Sequence, residues 1–242
     1  MKVAAALLCL LLAVPARAGQ TALEAGQVAA KMAALLEDGD SSARVRMKDS
    51  AGRVLQVQIK SRRAGGSAQT AYEILWPQDR KGEKVVLRQT PGSWPQGEIV
   101  GAGGQRSPVG RDEWHGGIFG TGLALADAVE DFFLWPKQTL AGRETIGRTD
   151  CVILESRPGV DSPHGKVRSW IDTGKWIALR VEKYDREGKL RRTITTTRVA
   201  RDDKGRHVPA GMTVAADDGS LTEIDGSQIR HDVSHDKADF AF

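Results

Sequence analysis

The residues of this chain best suited to acid–base or metal chemistry are its five histidines, His115, His164, His207, His231 and His235. His115, His164 and His207 sit in E-W-H-G-G, S-P-H-G-K and G-R-H-V-P, settings expected of solvated loops. His231 and His235 are four apart, which would put two imidazoles on one face only of a helix, and the residues before them read as strand. No H-E-x-x-H and no cysteine pair accompany them, so no metal centre is expected. A G-x-S-x-G nucleophile elbow is missing. Gly101-Ala102-Gly103-Gly104 follows a short strand-like run, but neither a helix nor Lys-Ser/Thr comes after it, as a phosphate loop requires. The reactive residues single out no catalytic site, metal or cofactor. An envelope hydrolase or metalloprotein would be revived by two or more histidines gathered round an acidic residue in a cleft.

Met1–Ala18 has the form of a secretory leader: Lys2, an apolar run from Val3 to Val14, and Ala16-Arg17-Ala18 as a small-x-small exit, with cleavage expected after Ala18. The run is too short to span a bilayer, which needs about 20 residues. Cys9 lacks the small residues that precede a lipidated cysteine. An exported, periplasmic protein is expected. The leader carries Lys2 and Arg17, so its loss lowers the net charge from +4 to +2. The remaining charges are interspersed in sign, which gives nucleic acid no electrostatic footprint. Cys151, alone after cleavage, sits in C-V-I-L and should be a buried thiol. The rest, residues 19–242, is long but fits one large β domain.

The elements follow from periodicity. Leu23, Val28, Met32, Leu35 and Leu36 predict an amphipathic helix over residues 21–38. The period then changes to two. Val45 and Met47 alternate with Arg44, Arg46 and Lys48, and Leu55, Val57 and Ile59 alternate with Gln56, Gln58 and Lys60, predicting a hairpin that turns at Ser50-Ala51-Gly52. Strand-like runs at 68–75, 84–89, 98–102, 143–146, 151–156, 165–172, 177–184, 189–199, 207–215 and 221–229 are separated by Gly, Asp and Pro turns, an antiparallel meander.

Residues 90–122 break the pattern with ten glycines, three prolines, two Trp and one Phe, and read as a long irregular crossing between two parts of a sheet. After it, Leu125, Val129, Phe132 and Phe133 fall on one helical stripe, with Asp127, Glu130 and Asp131 opposite. A helix over residues 123–135 is predicted, capped by Thr121 and ended by Pro136. Leu134 and Trp135 lie off the stripe as apolar surplus. This helix either belongs to the core or forms a movable wall of an apolar cavity.

E-D-F-F-L-W-P-K-Q (130–138), the following A-G-R-E-T-I-G-R-T-D-C-V-I-L-E-S-R-P-G (141–159) and W-I-D-T-G-K-W-I-A-L-R-V-E-K-Y-D-R-E-G-K-L (170–190) resemble the LolA-like outer-membrane lipoprotein-sorting protein family. The resemblance implies a β-dominated α+β fold: a curved antiparallel half-barrel whose apolar concave side is covered by helices and, in the carrier that names the group, holds the acyl chains of lipoproteins. It also implies an arginine that bonds to lid carbonyls, a role the sequence assigns to none of the arginines here.

The expected function is a periplasmic, non-enzymatic, monomeric carrier for lipid or lipidated protein, with an envelope membrane protein as a further partner. The expected cavity residues are Val45, Met47, Leu55, Val57, Ile59, Leu125, Val129, Phe132, Phe133 and Trp135. The alternative is a protein-interaction or sensor module of an envelope assembly that makes contact through residues 93–122. A cavity filled by side chains, with an apolar patch elsewhere, would favour that alternative.

Overall fold

The computed structural model describes residues 24–36, 39–129, 132–159 and 161–241. The expected leader, Leu23, Glu130 and Asp131 lie outside the described residues.

Alternation builds the first hairpin. In β1 (Gly39–Asp49) and β2 (Val54–Ala64), Val45 lies opposite Val57 and Met47 opposite Leu55, all four buried, while Arg44, Arg46 and Gln56 face water. Facing apolar pairs are the unit of sheet stability. The turn closes because Asp49 Oδ1 accepts the Arg53 N–H at 2.9 Å and Gly52 takes a φ of +80°, which costs glycine nothing.

β3 (Ser67–Trp76), β4 (Lys84–Gln89), β5 (Gln96–Val100) and β6 (Arg106–Pro108) extend one wing. β7 (Lys137–Ile146), β8 (Thr149–Arg157), β9 (Lys166–Asp172), β10 (Ile177–Tyr184), β11 (Leu190–Arg201), β12 (His207–Ala216) and β13 (Leu221–His231) form the other. They make one 13-stranded sheet in the order β6-β5-β4-β3-β2-β1-β13-β12-β11-β10-β9-β8-β7. Among the described residues, β1 with β13 is the only neighbouring pair that is not consecutive in the chain. The sheet curves without closing, as the half-barrel reading expects, and β6 and β7, consecutive in sequence, are its two edges. The chain between them, residues 109–136, must therefore travel from one edge to the other.

Among the described residues there is one α-helix, α1 (Ala25–Ala33), shorter than the predicted 21–38. It packs Val28, Ala29 and Met32 against Leu154 of β8 and Ile171 of β9. Cys151 is buried in β8. Phe240 covers the outer side of β3 and β4 through Ala71 and Val86.

Among the described residues, 123–129 and 132–135 do not form the predicted helix. In its place are two 3₁₀ turns, Ala126–Ala128 and Phe132–Leu134, preceded by two more at Glu113–His115 and Ile118–Gly120. Thr121 caps nothing; its hydroxyl donates to the Ile118 carbonyl at 2.8 Å. Nor is the 93–122 stretch a set of exposed loops, since it holds β5, β6 and the buried Trp114 and Ile118.

Candidate functional site

The crossing segment owes its shape to glycines and to long-range hydrogen bonds. The Ile118 N–H donates to the Leu123 carbonyl at 2.7 Å and the Leu125 N–H to the Gly116 carbonyl at 3.0 Å, making a miniature hairpin with Gly117 facing Ala124. A Cβ on Gly117 would lie 1.7 Å from the Thr121 carbonyl oxygen, so no other residue fits there. This hairpin drives Trp114, Ile118, Leu125, Ala126 and Val129 into the sheet's inner face, where they meet Val45, Met47, Leu55, Val57, Val214 and Ile224. The space beneath the crossing is occupied by the chain's own side chains.

An ionic cluster fixes the crossing to the far wing. Asp127 is fully buried, its Oδ1 lying 3.2 Å from Lys183 Nζ of β10 and 3.5 Å from His164 Nε2. Its Oδ2 accepts the Ala124 N–H at 3.0 Å and lies 3.8 Å from Arg192 Nε of β11. Arg192 also donates from Nε to the Gly122 carbonyl at 2.8 Å and from Nη2 to the His115 carbonyl at 2.7 Å. Lys183 donates to the Asp127 carbonyl at 3.1 Å, and Thr222 Oγ1 accepts the Gly122 N–H at 2.8 Å. Arg192 thus ties two carbonyls of the crossing to β11.

Charge in this cluster is set by burial and neighbours together. Burial pushes the Asp127 carboxyl up, but Lys183, the Ala124 N–H and Arg192 outweigh it and hold the group below its ordinary range. Burial, reinforced by Lys183, pushes His164 down to about 3, so it is neutral near pH 7 although Asp127 is close. His115, whose ring meets His164 edge to face at 6.1 Å, is lowered by burial and by Arg191 and Arg192. Two histidines do gather near an acid here: His164 and Asp127, at 1% and 0% side-chain exposure, lie in packed interior, while the half-buried His115 lines an open pocket with Arg111, Asp185 and Arg186. His164 is no solvated loop residue. At the other histidine cluster, His231 Nε2 lies 3.1 Å from Asp202 and 4.0 Å from Asp203, and the Arg206 guanidinium, 2.9 Å from the same nitrogen, supplies the positive charge.

The ten expected cavity residues divide. Val45, Met47, Leu55, Val57, Leu125 and Val129 share the buried cluster, with Ile59 packed on its edge. Phe133 packs instead with α1, in the cluster around Val28 and Met32. Phe132 packs on Phe133 with the rings tilted and their centres 4.5 Å apart, and meets Trp135 edge to face at 6.3 Å. Gln138 Nε2 gathers this turn by donating to the carbonyls of Phe132 at 3.0 Å and Trp135 at 2.8 Å.

Open space lies on either side of the crossing. A cavity of about 330 Å³ at the mouth is lined by Gly66, Gln89 and Pro91–Ser93 from one wing and by Leu134–Pro136, Gly159, Asp161 and Ser162 from the other. A second, of about 350 Å³, lies by Met47, Leu55, Trp76, Arg80 and Phe119. Both fall in the lower part of the size range of small-molecule sites.

Lys183, Arg192, Gln138 and Trp114 were not among the residues singled out by sequence, and His164 was read there as a solvated loop residue. A signal existed for two of them: Lys183 follows Val181 by two and Arg192 precedes Ile194 by two, so each cation occupies an inward position of its strand. Asp127 gave the opposite signal, because a helical wheel turns it to solvent.

Comparison with known proteins agrees with this geometry. A family model described as "Uncharacterized protein" matches residues 111–241, more than half of the chain. No curated protein sequence matches. The fold is shared with a DUF1329 family protein from Desulfovibrio piger, at 23% identity over 90% of this chain and 95% of that one with a TM-score of 0.80. It is shared with a structure from Vibrio parahaemolyticus described as an outer membrane lipoprotein-sorting protein domain, at 20% identity over 89% and 95% with a TM-score of 0.79. A LolA superfamily protein from Nitrosomonas europaea matches at 15% identity over 91% and 99% with a TM-score of 0.72. The chain belongs to the family of the model that spans residues 111–241, and its open, curved sheet is the LolA-like fold.

Proposed function

We propose that this protein is a non-enzymatic carrier of the cell envelope that binds the hydrocarbon chain of a lipid or lipidated protein against its inner sheet face. The observation that carries the reading is an apolar stretch of the inner face, over β1–β4, β12 and β13, stoppered by an irregular segment that a buried ionic cluster, not regular secondary structure, holds in place. Magnitudes make exchange with a ligand feasible. Trp114, Ile118, Leu125 and Val129 contribute about 1.5–3 kcal/mol each by burial, and an acyl chain contributes about 0.8 kcal/mol per buried CH₂, so a long chain could replace them at little net cost. The ionic cluster opposes opening only weakly, since its charges regain hydration when the crossing lifts. The fold shared with a structure described as lipoprotein-sorting and with a LolA superfamily protein supports the same reading, as does the leader-like Met1–Ala18, which suits a periplasmic site.

The test is uptake of a fluorescent acyl probe by the purified protein, with mass spectrometry of co-purified lipid. Saturable binding with about one chain per protein supports carriage; no uptake and no lipid would end it.

A second reading, an interaction module of an envelope assembly, is favoured by one specific observation. The inner face is filled by the protein's own side chains, while Trp76, Leu134 and Leu140 are exposed elsewhere. A protein that binds no acyl probe but is pulled down with a defined envelope membrane protein would fit it.

A further inference from the structure

The mouth cavity lies outside the filled inner face, and its two walls come from opposite wings of the sheet. Leu134, 53% exposed, and Trp135 stand in its wall, the surplus apolar residues for which the core has no place. Pro136 is packed so closely on Gly159 that a Cβ there would sit 2.5 Å from its Cγ, which keeps this wall thin. The polar side chains of the lining are largely committed to the protein. Gln89 Nε2 donates to the Thr90 carbonyl at 3.0 Å and the Ser93 carbonyl at 3.1 Å, although its Oε1 is buried without a partner. Ser162 Oγ accepts the His164 N–H at 3.0 Å. The Asp161 carboxylate, the one ionisable group of the lining, is held between Arg111 and Arg186, which also stack on Trp94. The wall thus presents no uncommitted charge, which matches an uncharged occupant.

We infer that this mouth cavity is a first seat for a linear hydrocarbon chain bound for the inner face and that Lys183 couples its filling to the crossing segment; the inference rests on the carrier reading. Trp135 in the wall touches Phe132, the Lys183 ammonium lies 5.6 Å from the centre of the Phe132 ring, and the same ammonium holds Asp127 at 3.2 Å. A chain that pushes Trp135 shifts Phe132, and Lys183 must then trade part of its hold on Asp127 for a rearranged ring. The ligand thereby loosens the segment that stoppers the inner face.

The test uses the purified full-length protein with a dansylated undecanoic acid probe. Ser93→Trp, which fills the cavity from an exposed loop position, and Leu134→Asp should each weaken binding by about tenfold or more at an unchanged urea midpoint, whereas Trp76→Ala at the other cavity should not. In the parent protein the probe should speed amide exchange at Leu123–Ala126, and Phe132→Leu should remove that response while leaving the fold intact. If Ser93→Trp and Leu134→Asp bind as the parent does, the seat is elsewhere and carriage stands. If exchange is unchanged by the probe, the coupling is wrong. If the parent binds nothing, carriage fails with it.

Discussion

Lys183 Nζ lies 3.2 Å from Asp127 Oδ1 with both side chains all but excluded from water, one on β10 and the other on the segment that crosses the sheet. A pair like this holds position more than it adds stability, because burying both charges costs about as much as their attraction returns. Removing one partner is different. Lys183→Met should lose about 3–5 kcal/mol by leaving Asp127 short of its nearest cation. Lys183→Met with Asp127→Leu should recover a large part of that. Urea unfolding of the two single variants and the double variant gives the coupling energy; additive losses would show that the pair is not the fastener.

Arg192 acts on carbonyls rather than on a single charge. Arg192→Gln should lose about 1.5–3 kcal/mol for each charge-assisted bond to Gly122 and His115 that is not replaced by water. Limited proteolysis should then cut within residues 116–125 while the sheet survives. Equal resistance of parent and variant would mean that Arg192 does not secure the crossing.

Acid should loosen the same region. His164 in the unfolded chain takes a proton as pH falls through about 6.5, but in the folded protein only near 3. Between those values the unfolded state binds more protons, so stability falls with pH by up to about 1.4 kcal/mol per unit for this one group. His115 is lowered as well and adds in the same direction. Asp127, held below its ordinary 3.8, adds its loss only below about pH 4. The urea midpoint should drop from pH 7.5 to 5.0, and His164→Gln should flatten that slope. A flat profile in the parent protein would contradict the buried, neutral imidazole.

Gly117→Ala tests whether the crossing is a defined structure. Its Cβ would meet the Thr121 carbonyl at 1.7 Å, an overlap with backbone that no rotamer relieves. The loss should be at or above the upper end of the usual overpacking range of about 1–3 kcal/mol. Gly26→Ala on α1, where a Cβ meets nothing within 4 Å, is the control and should be neutral or slightly stabilising. Equal midpoints for the two variants would refute the miniature hairpin.

Most strands of the sheet were legible in the sequence. Val45, Met47, Leu55 and Val57 point the same way because successive strand residues alternate faces, a local property that needs no partner to be read, and the Gly-Asp turns mark where each strand ends. Only the tertiary structure decided the crossing. Leu125, Val129, Phe132 and Phe133 carry a helical period, yet the described residues form no α-helix there, and Leu125 and Val129 join one cluster while Phe133 joins another with α1, β8 and β9. Asp127, on the polar side of that imagined helix, is the most buried charge of the site. The reason is not local propensity, since residues 123–135 hold no glycine and include good helix formers; the segment gives up helical bonds of its own for tertiary ones. Its conformation is then fixed by donors and charges from β10, β11 and β13, strands 50 to 100 residues away along the chain, which no local periodicity can encode.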